Sequence, residues 1–190
     1  MELIARGRLQ KMPAAHQNPV AYTLQVGDTA IDANALLDKP VKLVFENEIR
    51  CSNCQRVTKK SFNQGFCYPC FQKLASCDKC IMSPELCHYD QGTCREPSWG
   101  EAHCLQPHVV YLANSTGLKV GITRGSQVPT RWIDQGAIQA LPIATVSTRK
   151  LSGLLEHKIR EWVADRTNWR KMLKHDVEEI DLLAERDRLY

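Results

Sequence analysis

The 190-residue sequence has no apolar run long enough to cross a membrane, which takes about 20 consecutive apolar residues. Its opening residues, Met1-Glu-Leu-Ile-Ala-Arg-Gly-Arg8, contain no long apolar stretch of the leader type. The expectation is therefore a cytoplasmic protein that makes no membrane contact. Hydrophobic residues at 43% and charged residues at 24% exclude wholesale disorder and fit an ordinary globular chain. Cysteine is absent before Cys51 and after Cys104, so all nine lie in one short stretch. In a cytoplasmic chain this clustering favours metal ligation over disulfides.

No sign of charge dominates overall, with a net of only +4, but the distribution is uneven. From Lys119 to Lys171 ten Lys and Arg stand against four Asp and Glu, a net of +6; from Met172 to Tyr190 three stand against six, a net of −3. A basic module points to an anionic partner such as nucleic acid, DNA or RNA. A solvated surface with scattered lysines is the plainer alternative.

The strongest motif is a pair of knuckles, Cys51-Ser-Asn-Cys54 and Cys67-Tyr-Pro-Cys70, separated by twelve residues. Two C-x-x-C turns at this separation bring four thiolates together and satisfy a tetrahedral Zn2+, with no open position for catalysis. The spacing predicts a structural zinc site of the ribbon type, with Arg56 to Phe66 as its hairpin and Lys59, Lys60 and Gln64 as phosphate contacts or merely solvated groups. A second site, of four thiolates or of three thiolates and an imidazole, is expected further on. Cys77 and Cys80 form its natural knuckle, while Cys87, Cys94 and Cys104 compete to complete it beside His88 and His103.

Around these motifs the chain reads as α+β: a small N-terminal β module (residues 1–50), a zinc-binding region (51–106) and a sheet flanked by helices (107–190). Candidate strands are Glu2 to Met12, Val20 to Val26 and Val41 to Ile49, with a short helix or irregular link at Ala33 to Leu37. Gly92 to Gly100 reads as a loop, with Trp99 covering its junction with a hairpin. In that hairpin Val109 to Leu112 and Leu118 to Ile122 flank Asn114-Ser-Thr-Gly117, a turn signal. A three-residue loop pairs Asn114 with Leu118. In that register Val110, Leu112, Leu118, Val120 and Ile122 share one face, while Tyr111, Lys119, Gly121 and Thr123 share the other. Pro129 starts a helix running to about Gln139, with Arg131 and Gln135 one turn apart. A strand at Ala140 to Val146 comes next, and Pro142 places it at an edge.

Ser147 opens another helix. Leu151, Leu154, Leu155, Ile159, Trp162 and Val163 form its expected buried face, opposite a polar stripe of Arg149, Gly153, Glu156 and Arg160. An ordinary Glu156–Arg160 surface pair is the plainer reading of that stripe. Trp169, Met172 and Leu173 are expected to close the core. Asp176 to Tyr190 reads as an amphipathic helix with Val177, Ile180, Leu183 and Ala184 inward.

The hairpin region resembles the GIY-YIG nuclease superfamily. Val109-Val110-Tyr111 stands where Gly-Ile-Tyr would, and Lys119-Val-Gly-Ile-Thr123 where Tyr-Ile-Gly-x-Thr would. Lys119 replaces the second tyrosine, as in phage-type members. The resemblance extends to Arg131, Glu156 and, loosely, Asn168. The whole chain is similar to bacterial proteins of an uncharacterised domain family that share Gly-Thr-Cys-Arg, Val-Tyr-Leu-Ala-Asn and Asp-Arg-Thr-Asn-Trp, and that continue further, so a missing C-terminal segment is expected.

The superfamily resemblance implies metal-dependent hydrolysis of phosphodiesters. Glu156 would hold Mg2+ or Mn2+, Tyr111 would orient or deprotonate water, and Arg131 would offset charge on the phosphorane. Lys119 would act as a cation. Two rivals carry no catalysis: a nucleic-acid-binding or regulatory module on a degenerate nuclease fold, and a protein-interaction adaptor shaped by its zinc sites.

Overall fold

The structure, a computed structural model, describes residues 2–63, 65–174 and 177–190. The N-terminal fifty residues build one weak sheet. Strands β1 (Ala14–Ala15), β2 (Ala21–Val26) and β3 (Thr29–Asp32) pair antiparallel in that order. The candidate strand at Glu2 to Met12 contributes only an isolated bridge from Leu9 to Val26. The one at Val41 to Ile49 forms no strand, and Leu43, Val44 and Phe45 are exposed. The first segment does run along β2, with the Gln10 N–H donating to the Gln25 carbonyl at 3.0 Å and the Gly27 N–H to the Arg8 carbonyl at 2.8 Å, but too irregularly to count as a strand. Asn34–Leu36 forms a 3-10 turn at the expected irregular link.

Regular structure is sparse across the cysteine-rich stretch. Helix α1 (Tyr68–Lys73) starts directly after Cys67. Four 3-10 turns come after it, at Ala75–Cys77, Lys79–Ile81, Pro84–Leu86 and Tyr89–Gln91. The expected ribbon hairpin is reduced to two isolated bridges, Arg50 to Val57 and Phe62 to Phe66. Part of the expected loop is helical instead: α2 spans Pro97–His103, with Pro97 in its first turn, where a missing N–H costs nothing.

The larger sheet contains β4 (His108–Asn114), β5 (Leu118–Arg124) and β6 (Gln139–Val146), in the order β5-β4-β6 and antiparallel throughout. The hairpin register is the one that the apolar pattern selects: Asn114 opposes Leu118, Leu112 opposes Val120, and Val110 opposes Ile122. Val110, Leu112 and Val120 pack with Ile159, Val163 and Leu182 as the buried core. Pro142 does lie on an edge strand, beside a bulge at Val110/Tyr111.

The helices differ from expectation in length and phase. α3 covers only Thr130–Ile133. Gly136 takes φ +63°, and the Ala137 N–H reaches back to the Trp132 carbonyl, a closure that ends a helix rather than weakening its middle. α4 (Arg149–Ile159) is capped by Thr148, which accepts from the Leu151 N–H. Its buried residues are Ser152, Gly153 and Ile159, while Leu151, Leu154 and Trp162 are exposed. Leu155, Ile159 and Val163 of the expected apolar face do reach the core, Arg160 of the polar stripe is exposed, and Gly153 packs on the Pro84–Leu86 turn. α5 (Trp169–Leu173) is capped by Asn168 and leaves Trp169 and Leu173 exposed instead of closing the core. α6 (Leu182–Leu189) begins at an Asp181 cap; Leu182, Ile180 and Leu189 turn inward, and Leu183 outward. Asp176, the expected start of that helix, lies outside the described residues. No helix among the described residues is long and apolar enough to cross a membrane.

Candidate metal centre and the polar face of the hairpin

The Cys51, Cys54, Cys67 and Cys70 ligand atoms all lie within 4.8 Å of one another. Local hydrogen bonds build each knuckle. The Cys51 carbonyl accepts from the Gln55 N–H at 3.0 Å, and the Cys67 carbonyl accepts from Phe71 at 2.9 Å as α1 begins. Gly65 holds the two halves together. Its φ is +134°, its carbonyl accepts from the Ser52 N–H at 2.7 Å, and a Cβ there would lie 2.2 Å from Ser52 Oγ. Gln64, beside it, lies outside the described residues. Asn53 Nδ2 donates to Cys70 Sγ at 3.4 Å.

Four adjacent thiols cannot all ionise without a cation. Burial raises Cys51, but the N–H groups of Cys54, Cys67 and Asn53 outweigh it and bring its pKa to about 6. Asn53 favours the Cys70 thiolate, yet burial and the other three sulfurs drive that thiol up to about 12. A divalent ion removes this conflict. Four soft donors with N–H support suit tetrahedral Zn2+, with no coordination site left for a substrate.

The hairpin's other face carries the remaining chemistry. Tyr111 is 1% exposed and Lys119 3%. Lys119 Nζ donates to Gln135 Oε1 and Thr167 Oγ1, both at 2.6 Å, and Gln135 Nε2 donates to the Tyr111 hydroxyl. Ser115 Oγ and Thr167 Oγ1 are 2.9 Å apart, which extends the chain of contacts. The Tyr111 ring lies across Gly121, with Trp132 edge-on at 5.9 Å. Burial, with the Arg131 charge second, lowers the Lys119 ammonium to about 8. Burial raises the Tyr111 phenol against the opposing Gln135 hydrogen bond.

The four residues singled out by the superfamily resemblance lie on different elements but act on one another: the Arg131 charge bears on both Tyr111 and Lys119, and the Glu156 charge on Tyr111. Tyr111 and Lys119 share one covered network through Gln135. Arg131 is exposed on α3, where its carbonyl accepts from Gln135 at 2.9 Å. Glu156 is half-buried on α4; burial pushes its carboxyl up to about 6 against Arg160, with Asp165 adding to the rise. The expected Glu156–Arg160 pair is not the contact made, because Arg160 Nε sits 3.1 Å from Asp165 Oδ2. Glu156 belongs to neither cluster of three or more His, Cys, Asp or Glu ligand atoms among the described residues. Asn168 serves as the α5 cap and donates its N–H to Thr116 Oγ1 at 2.9 Å.

The later cysteines separate too. Cys80, Cys87, Cys94 and Cys104 line one small cavity with Asp78 and His88, and Cys77 is buried outside that lining. An adjoining pocket is lined by Ser76, Trp99, His103, Arg124 and Arg149, with the Trp99 and His103 rings stacked at 4.2 Å and 6°. Sequence reasoning did not single out this pocket. Trp99, His103 and Arg149 stood out in the sequence for other roles, and nothing in their spacing signals that they meet Arg124 here.

No curated protein and no solved structure matches the chain. The cysteine pairs, the hairpin and the helices after it all fall within residues 38–190, which match the family described as "Protein of unknown function (DUF2797)", and the chain belongs to that family.

Proposed function

We propose that the protein is a zinc-stabilised nucleic-acid-binding protein. The observation that carries this reading is the pocket lined by Arg124, Arg149, His103, Ser76 and Trp99, in which the Arg149 guanidinium is anchored on the Ile81 carbonyl and the Trp99 ring on His103. Guanidinium groups match phosphate oxygens in geometry and charge, and an indole offers a stacking surface for a base. Two further tryptophans support it. Trp162 is 56% exposed with Lys158 Nζ 5.2 Å from its ring centre, and Trp169 is 59% exposed with Arg170 at 5.2 Å. Exposed aromatics beside cations are the combination that single strands stack upon. The Cys51/Cys54/Cys67/Cys70 centre would hold structural Zn2+.

Anisotropy titrations with labelled single-stranded DNA, duplex DNA and RNA test the proposal. The expected result is affinity that falls steeply with salt, as counterion release requires. Arg124→Gln should weaken binding about tenfold, the loss of one charge-assisted contact. Trp162→Ala should weaken single strands more than duplex. Binding to none of the three, or binding indifferent to salt, would put the adaptor reading first.

Hydrolysis is the second reading, and Glu156 favours it: a half-buried carboxylate whose charge acts on Tyr111. Catalysis would require the Tyr111 hydroxyl to be uncovered from beneath Gln135. Cleavage with added Mg2+ or Mn2+ that disappears in Glu156→Gln would establish it, and binding without cleavage would remove it.

A further inference from the structure

We infer that a second metal ion is held by the thiolates of Cys80, Cys87, Cys94 and Cys104, and that Cys77 is not a ligand. Each sulfur comes from a different short piece of chain. Cys80 sits in the Lys79–Ile81 turn, Cys87 ends the Pro84–Leu86 turn, Cys94 comes after the Tyr89–Gln91 turn, and Cys104 ends α2. All four line the same cavity, although their sulfurs do not all lie within 4.8 Å of one another, so a bound ion would have to draw them together. The turns from Ala75 to Gln91 contain only three buried residues, Ala75, Cys77 and Pro84, too little apolar material to fix four successive turns. Small units of this kind need a cross-link, and a tetrahedral thiolate centre supplies one.

The neighbours fit a site with net negative charge. Four thiolates and one divalent ion leave −2. Arg149 lies against the cavity: its N–H donates to the Cys104 carbonyl at 2.7 Å and its guanidinium to the Ile81 carbonyl at 2.6 Å. Arg95 lines the cavity itself.

Asp78, Cys80 and His88 form a rival set, with ligand atoms within 4.8 Å of one another. Two of those groups are already engaged. Asp78 pairs with Arg95 Nε at 2.7 Å, and His88 Nδ1 is 2.7 Å from Thr93 Oγ1, with Nε2 3.6 Å from Asp78. The Arg95 pair places Asp78 beside the centre and not on it; the Thr93 contact leaves His88 Nε2 able to ligate, so the choice between His88 and a fourth thiolate is what the His88→Gln variant decides. The second metal site stands independently of the nucleic-acid reading.

Metal content of the full chain tests it. The parent should carry two zinc ions, and Cys94→Ser or Cys104→Ser should carry one. Cys77→Ala, His88→Gln and Asp78→Asn should all retain two. A parent with one ion, or a His88→Gln variant that loses one, would overturn the assignment. X-ray absorption on the unaltered zinc protein gives an answer even if variants misfold. Four sulfurs at about 2.3 Å per zinc are expected, and a nitrogen or oxygen shell at about 2.0–2.2 Å would reject an all-cysteine site.

Discussion

Gly121 has no room for a methyl group. A Cβ there would lie 2.7 Å from the Tyr111 hydroxyl and 2.8 Å from the ring carbon that bears it, and that ring is buried. Gly121→Ala must therefore displace a fixed aromatic, and the expected cost is about 1–3 kcal/mol in urea unfolding. Lys119 makes a prediction in pH. Its folded pKa of about 8 lies below the unfolded value of about 10.4, so between the two the unfolded chain binds more protons. Stability from this group therefore rises with pH across that window, by up to about 3 kcal/mol. Comparing unfolding free energies of the parent and Lys119→Met at pH about 7.5 and about 10 isolates this group. The parent should gain relative to the variant, and parallel profiles would contradict the burial argument.

Among elements, α4 shows both what was legible and what was not. Its existence and position are given by helical spacing, but its facing only in part: Leu155, Ile159 and Val163 turn inward as their spacing requires. Leu151, Leu154 and Trp162 make a convincing apolar stripe in sequence, yet they are exposed because the Cys-rich turns occupy the opposite side. Nothing local records a packing partner so distant in the chain. The β4–β5 register was legible because only one pairing keeps Val110, Leu112 and Val120 together. The four-cysteine cluster was legible because ligand spacing is itself local. The second set of sulfurs was not: the Cys77–Cys80 spacing suggests a knuckle, yet only Cys80 of that pair lines the cavity shared with Cys87, Cys94 and Cys104. The α4 cap offers a direct test. Thr148→Ala removes the acceptor for the Leu151 N–H and should cost about 1 kcal/mol in thermal or urea unfolding.

At the scale of the molecule, stability is divided between two kinds of scaffold. β4 is hydrogen-bonded on both edges, and Val110 to Ala113 are fully buried, so its amides should exchange last. The described residues of 51–70 hold only isolated bridges and the start of α1, so a metal ion at the four cysteines would supply most of their order. Removing zinc with a strong chelator should speed hydrogen exchange sharply from Cys51 to Cys70 and leave β4 protected. Uniform loss of protection along the chain would mean that the scaffolds fold as one unit.

The contact between Gly153 and the Pro84–Leu86 turn bears on how this family can vary. A Cβ at position 153 would lie 2.5 Å from the Pro84 side chain and 2.9 Å from the Glu85 backbone nitrogen. The helix and the turn are therefore free to change sequence only together. Relatives that carry a larger residue at the position of Gly153 should also have altered the length or the proline of the facing turn. Relatives that keep the turn should keep the glycine, however far the rest of the helix has drifted.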